Sequence, residues 1–223
     1  MGQAAHHPVE AWCQSRAAGA EAQAEDILQR MRTVEQRGLG GHVQQGGVDV
    51  RHYNKVLARI ATSGKANAGA EAERLLAEVI ALSKQEQRHG ETETTPSTAA
   101  RLAPNSSSFN AVITAYANAG GRNNAQHAQR ILSMMEEPAS VGLQAIATQI
   151  IPDRSSYTKI FMAWANTRER NVDAGERVEE LLGRMSAWGE KKRGVTPDTV
   201  AYNAILRVWS VVCIHNADGI VIV

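Results

Sequence analysis

Apolar positions recur along this chain at helical spacing from four aromatic residues. Steps of three, four and seven lead from Tyr53 to Val56, Leu57 and Ile60, and from Phe109 to Val112, Ile113 and Tyr116. The same steps lead from Tyr157 to Ile160, Phe161 and Trp164, and from Tyr202 to Ile205, Leu206 and Trp209. Each set forms one apolar stripe of an amphipathic helix, here called helix A. A second stripe follows three of these and precedes the first. It runs through Ala24, Ile27, Leu28 and Met31; Ala72, Leu75, Leu76 and Val79; Ala128, Ile131, Leu132 and Met135; and Val178, Leu181, Leu182 and Met185. These predict helix B.

Gly19, Gly64 and Gly120 fall in three of the A-to-B connections, where a helix must end and the chain turn back. The expected unit is a helical hairpin used repeatedly. Single helices of this length are marginal in water, so hairpins must stack to bury both stripes, and the expected fold is all-α, an α-solenoid of helix-turn-helix repeats. Pro104, Pro152 and Pro197 stand before helices A, followed by Asn105, Asp153 and Asp198; Asp49 holds that place in the earlier copy. Asp and Asn there suit helix capping, a role one residue can combine with another function.

The aromatics lie 56, 48 and 45 residues apart. The excess falls after helix B, in 83–103 and 136–150, where Gly, Ser, Thr and Pro predict loops or short extra elements. The expected organisation is therefore a partial first repeat and linker over 1–47, repeats with insertions over 48–103 and 104–151, a repeat over 152–196, and the start of a further one over 197–223. Its tail, SVVCIHNADGIVIV, lacks the helix B stripe, which leaves part of the Tyr202 stripe uncovered.

These residues resemble the pentatricopeptide repeat family, whose unit runs from an aromatic–Asn helix start through a Gly turn and an Ala-x-x-Leu-Leu-x-x-Met helix to Pro-Asp. FNAVITAYANAGGRNNAQHAQRILSMM (109–135), YTKIFMAWANTRERNVDAGERVEELLGRM (157–185) and PDTVAYNAILRVW (197–209) carry the likeness, with YNKVLARIATSGKANAGAEAERLLAEV (53–79) and AWCQSRAAGAEAQAEDILQRM (11–31). The insertions are similar to the long-repeat arrays of protein-only ribonuclease P. The resemblance implies sequence-selective binding of single-stranded RNA, one base per repeat, in the processing, stability or translation of transcripts in a mitochondrion or plastid, alongside other RNA-processing proteins. Carried over residue by residue, the base readers are Asn54 with Asn105, Asn110 with Asp153, and Thr158 with Asp198; Asn203 has no following partner. The family's pairing rule implies C or U, then U, then G. The residues that flank the base are Arg51, Ser107, Ser155 and Val200, of which only Val200 is the usual apolar type.

Charge adds to this picture. Net charge is +1, with 24 Lys plus Arg against 23 Asp plus Glu, so no global basic field draws a polyanion. Yet the helix A segments hold six basic residues (Arg51, Lys55, Arg59, Arg154, Lys159 and Arg207) and no acid, while the helix B segments hold ten acids against five Arg. A neutral chain can thus present a basic side, with Lys55 and Lys159 suited to phosphate. Three bases stacking at about 1–3 kcal/mol each set weak affinity for these repeats alone.

Two other readings share the pattern: a protein-interaction scaffold like tetratricopeptide arrays, and the RNA-binding arm of a larger nuclease resembling protein-only ribonuclease P. No catalytic constellation, cofactor motif or metal-ligand spacing is legible, so no enzymatic activity is expected. SGKANAG (63–69) lacks the Walker spacing, Cys13 and Cys213 match no redox or metal pattern, and neither a membrane span nor a targeting segment is read.

Overall fold

The computed structural model describes residues 13, 19–36, 48–89, 101–143, 146–167, 173–191 and 195–216. These form eight α-helices and no strand: α1 (Ala20–Gln36), α2 (Val50–Ala61), α3 (Ala68–His89), α4 (Ser106–Ala119), α5 (Arg122–Glu136), α6 (Arg154–Ala165), α7 (Asp173–Lys191) and α8 (Thr199–Asn216). The even-numbered helices are the four predicted helices A, and α1, α3, α5 and α7 are the four predicted helices B. Trp12, residues 168–172 and the tail beyond Asn216 lie outside the described residues.

The stripes decide the packing. Tyr53, Phe109 and Tyr157 are buried to within 1% of their surface, as are Leu57, Ile113 and Phe161 one turn on. Burial of such a side chain is worth about 1.5–3 kcal/mol, so α2, α4 and α6 are anchored chiefly by this face. Helix α4 packs on α2, α3, α5 and α6, and α6 packs on α4, α5, α7 and α8. Gly19, Gly64 and Gly120 all take positive φ, 79°, 71° and 69°, where a Cβ would be strained; Gly64 and Gly120 follow the ends of α2 and α4.

Two helices B also receive a ring of the next helix A. A Cβ built on Gly69, near the start of α3, falls 2.1 Å from Cδ1 of Tyr116. Gly175 holds the same register in α7, three residues before the first apolar position, and lies 3.0 Å by the same measure from Cη2 of Trp209. Ala125 is its counterpart in α5 and is fully buried. Small residues here are holes cut for rings.

Successive helices B are joined by ion pairs in a shared register. Glu25 of α1 pairs with Arg74 of α3, and Glu73 of α3 pairs with Arg130 of α5 at 2.5 Å. In both, the acid follows the first apolar position of its helix and the arginine precedes the second. Further along, Arg32 of α1 pairs with Glu78 of α3 at 2.5 Å, and Glu136 of α5 pairs with Arg184 of α7; these two pairs use the same positions, beside the fourth apolar residue, with the charges exchanged. Four of the ten acids that stood out in the helices B, Glu25, Glu73, Glu78 and Asp173, are thus lateral ties. Glu73 and Glu136 also accept hydrogen bonds from the Tyr116 and Tyr157 hydroxyls, each at 2.5 Å.

The insertion 136–150 holds a 3-10 turn, Pro138–Val141, and buries Leu143, Ile146 and Ile150 in the core. Its end ties to α4, since the Ser106 hydroxyl donates to the Ile151 carbonyl at 2.8 Å and the Ile151 N–H donates back at 2.9 Å. The tail, expected only to depart from helix B, continues α8 unbroken to Asn216. Tyr202 and Leu206 are 50% and 64% exposed, as the absent stripe implied.

Candidate nucleic-acid interface

Asp49, Asn105 and Asp153 each cap a helix A in extended backbone conformation, their side chains accepting N–H bonds from the first turn. Asp198 accepts the Ala201 N–H at 2.9 Å in the same way. In three of the four the third helical residue answers: His52, Ser108 and Ser156 accept the cap residue's own N–H, closing a capping box. Ala201 has no group to do so.

The boxes extend into a ring that spans successive helices A. The Asn105 N–H donates to Ser108 Oγ at 3.2 Å, and the Ser108 hydroxyl donates to Asn54 Oδ1 at 2.6 Å. Asn54 Nδ2 then donates to Asn105 Oδ1 at 3.2 Å. The next junction repeats it with Asp153 N–H to Ser156 Oγ at 3.1 Å, Ser156 to Asn110 Oδ1 at 2.6 Å, and Asn110 Nδ2 to Asp153 Oδ2 at 3.2 Å. Two of the residue pairs read from the sequence, Asn54 with Asn105 and Asn110 with Asp153, are therefore in direct contact. Each ring fixes the rotamer of its amide, and among the described residues one N–H each of Asn54 Nδ2 and Asn110 Nδ2 takes no other partner.

The third pair is arranged differently. The Thr158 hydroxyl donates to the Arg154 carbonyl at 2.9 Å, and the Arg154 guanidinium stands 3.6 Å from Asp198. Thr158 and Asp198 line an open groove of about 610 Å³ between α6 and α8, together with Asp153, Ser155, Lys159, Val200, Arg154 and Met162. Six of the eight are candidate RNA-contacting residues from the sequence, and Arg154 is a seventh residue it named for its charge. Val200 and Met162, 55% and 44% exposed, give the groove apolar walls. Burial pushes the Lys159 ammonium down, opposed by the Asp153 carboxylate, and Lys159 forms no ion pair among the described residues.

Arg51, Lys55, Ser107 and Ser155 are exposed. Arg51 is committed to Asp49, its Nε donating at 2.7 Å. Burial raises the Asp49 pKa, but hydrogen bonds from Arg51 and His52 outweigh it and hold the carboxyl below its usual range. Asn203 is exposed on α8 with no ring around it. Helix α4 carries no charged residue, so the basic character of the helices A sits on α2 and α6, with Arg207 on α8.

Sequence reasoning named the residues two before each aromatic and missed those one before it. Ser108 and Ser156 are buried and hold each ring together. The signal was present as Asn-x-x-Ser at 105–108 and Asp-x-x-Ser at 153–156, a capping box with a short third residue. No family model, curated protein or solved structure matches this chain.

Proposed function

We propose that the helical hairpins stack as an α-solenoid of pentatricopeptide type and that its helix A side binds single-stranded RNA, one base per junction. One observation carries the reading. Side chains 51 and 43 positions apart, paired by what the family resemblance implies, hydrogen-bond across successive helices A, and the next such pair shares an open groove. Capping alone requires the Asp or Asn and its N3 partner; it does not require an amide from the preceding helix.

The chemistry suits bases. An Asn with a free N–H, and a Thr whose oxygen can accept, meet a base edge, while the neighbouring carboxylate or amide supplies a second contact. Val200 and Met162 offer apolar surface to a base face, and Lys159 supplies a cation beside it. The shared register of the helix B ion pairs supports the stacking half of the proposal. Regular insertion of Glu–Arg ties at one offset is what repeating the same hairpin displacement produces.

Selection from a random single-stranded RNA pool at low salt tests the proposal, comparing the wild type with Thr158→Asn. Enrichment of a short pyrimidine-pyrimidine-G core, with G relaxing to U in the variant, is the expected result. No enrichment by the wild type, or a motif indifferent to residue 158, contradicts base reading.

A further inference from the structure

The junction of α6 with α8 lacks the group that closes the two earlier junctions, and an arginine takes its place. At the earlier two, an amide from the preceding helix A ties the cap: Asn54 Nδ2 donates to Asn105 Oδ1, and Asn110 Nδ2 to Asp153 Oδ2, each at 3.2 Å. Thr158 holds that register in α6, but its hydroxyl donates to the Arg154 carbonyl, one turn back, at 2.9 Å. The tie to the cap comes instead from the Arg154 guanidinium, whose Nη1 stands 3.6 Å from Asp198 Oδ2. Asp198 Oδ1 accepts the Ala201 N–H at 2.9 Å. Both oxygens of Asp198 are thus engaged, while Arg154 and Thr158 line the open groove.

The sequence marks the same place. The residues directly after the four caps are Val50, Ser106, Arg154 and Thr199, so α6 alone of these helices A carries a cation there. The side chains of Arg154 and Asp198 are 44% and 34% exposed. Solvated pairs of this kind hold weakly, so a ligand can draw the guanidinium toward itself without disturbing the turn.

Arg154 and Thr158 ask for adjacent edges of one base. The Thr158 oxygen, its hydrogen already committed, can only accept, so it requires an N–H. The guanidinium only donates, and its fork matches the O6 and N7 acceptors of guanine. Guanine carries N1–H beside O6 and satisfies both groups at once. Adenine and cytosine set an exocyclic amine against the guanidinium, and uracil has no N7.

We infer that Arg154 is a base-reading residue of this groove, contacting O6 and N7 of a guanine whose N1–H meets Thr158. This assignment rests on the RNA-binding reading above and changes the role of Asp198, which orients the arginine.

Fluorescence anisotropy at low salt tests it on the full chain with three labelled short RNAs: oligouridine, the same with one central guanosine, and the same with 7-deazaguanosine in that place. The last keeps O6 and N1–H but replaces N7 by C–H. The expected result is that guanosine tightens binding over oligouridine and that 7-deazaguanosine forfeits most of the gain. Arg154→Ala should shrink the guanosine advantage about 5- to 150-fold, the range of one bidentate guanine contact, and remove the sensitivity to N7. Arg154→Lys keeps the charge without the fork, so it should restore affinity for oligouridine but not the guanosine advantage. Arg154 is exposed in the first turn of α6, so circular dichroism should show both variants as folded as the wild type. Binding without a guanosine advantage, or an advantage that survives Arg154→Ala and the loss of N7, overturns the inference and leaves RNA binding standing. An equal loss on all three RNAs also overturns it, reducing Arg154 to a phosphate contact. Failure of the wild type to bind any of the three overturns the RNA reading, and the inference with it.

Discussion

Gly69→Ala places a methyl group where the ring of Tyr116 already stands. The added Cβ would lie 2.1, 2.4 and 2.7 Å from Cδ1, Cε1 and Cγ of that ring, far inside van der Waals contact. The ring has nowhere cheap to go: its hydroxyl donates to Glu73 at 2.5 Å, and its face stacks on His127 with centroids 5.2 Å apart. Overpacking of this kind costs about 1–3 kcal/mol, and loss of a hydrogen bond to a charged acceptor adds about 1.5–3. Against this, replacing Gly by Ala in a helix gains at most about 1 kcal/mol. The net expectation is a loss of about 2–4 kcal/mol, or roughly 5–15 °C in Tm for a chain of this size. Gly183→Ala is the control, because nothing lies within 4 Å of its added Cβ in the middle of α7, and it should stabilise by about 0.5–1 kcal/mol. Gly175→Ala, at 3.0 Å from Trp209, should fall between the two. Urea and thermal unfolding of the three variants gives the ranking directly. Equal stability of Gly69→Ala and Gly183→Ala would refute the knob-and-hole packing, as would failure of Tyr116→Ala to relieve the penalty of Gly69→Ala in the double variant.

Other consequences are smaller but independent. Ser156→Ala removes a hydroxyl that both closes a capping box and holds Asn110, so it should cost about 1–3 kcal/mol in urea unfolding, while Ser155→Ala, exposed one residue earlier, should cost less than about 0.5. Stability should form a plateau in pH. Burial raises the Glu73 pKa, but hydrogen bonds from Arg130 and Tyr116 bring it below its ordinary 4.5; a depressed folded pKa contributes stability above that value that is lost as pH falls through it. Burial, reinforced by the glutamates, raises the Tyr116 and Tyr157 pKa values above 10.0, so their contribution is full below pH 10 and lost as pH rises beyond it. Thermal melts across pH check both limbs: Glu73→Gln should flatten the acid limb and Tyr157→Phe the alkaline one, and unchanged limbs contradict the assignment. Lys159→Ala should weaken RNA binding uniformly across sequences and lower the salt slope by about one, measured by titration at several salt concentrations.

Much of the fold was legible because it repeats. A stripe such as Tyr157, Ile160, Phe161 and Trp164 is weak evidence taken once, but four copies at matching offsets predict helix A and its partner together. The cap residues were legible from Pro-Asp and Pro-Asn, and their distant Asn partners from the family pattern. What escaped was lateral chemistry. Glu25 with Arg74 and Glu136 with Arg184 are far apart in sequence, and charge on a helix face reads as solvated until the neighbouring helix is in place. Ser108 and Ser156 were overlooked because a short hydroxyl beside an aromatic carries no periodic signal of its own. The extension of α8 to Asn216 was missed for the opposite reason: SVVCIH lacks the helix B stripe, and absence of one helix pattern says little about continuation of another.

Thiolated-nucleotide photo-crosslinking to the wild-type chain, with the attached peptides mapped by mass spectrometry, tests the central claim most directly. Single-stranded RNA bound along the helix A side should attach to the peptides containing Thr158, Met162 and Val200, and to those around Asn54 and Asn110. Attachment confined to α3, α5 and α7, or unchanged by Lys159→Ala with Thr158→Asn, would contradict it.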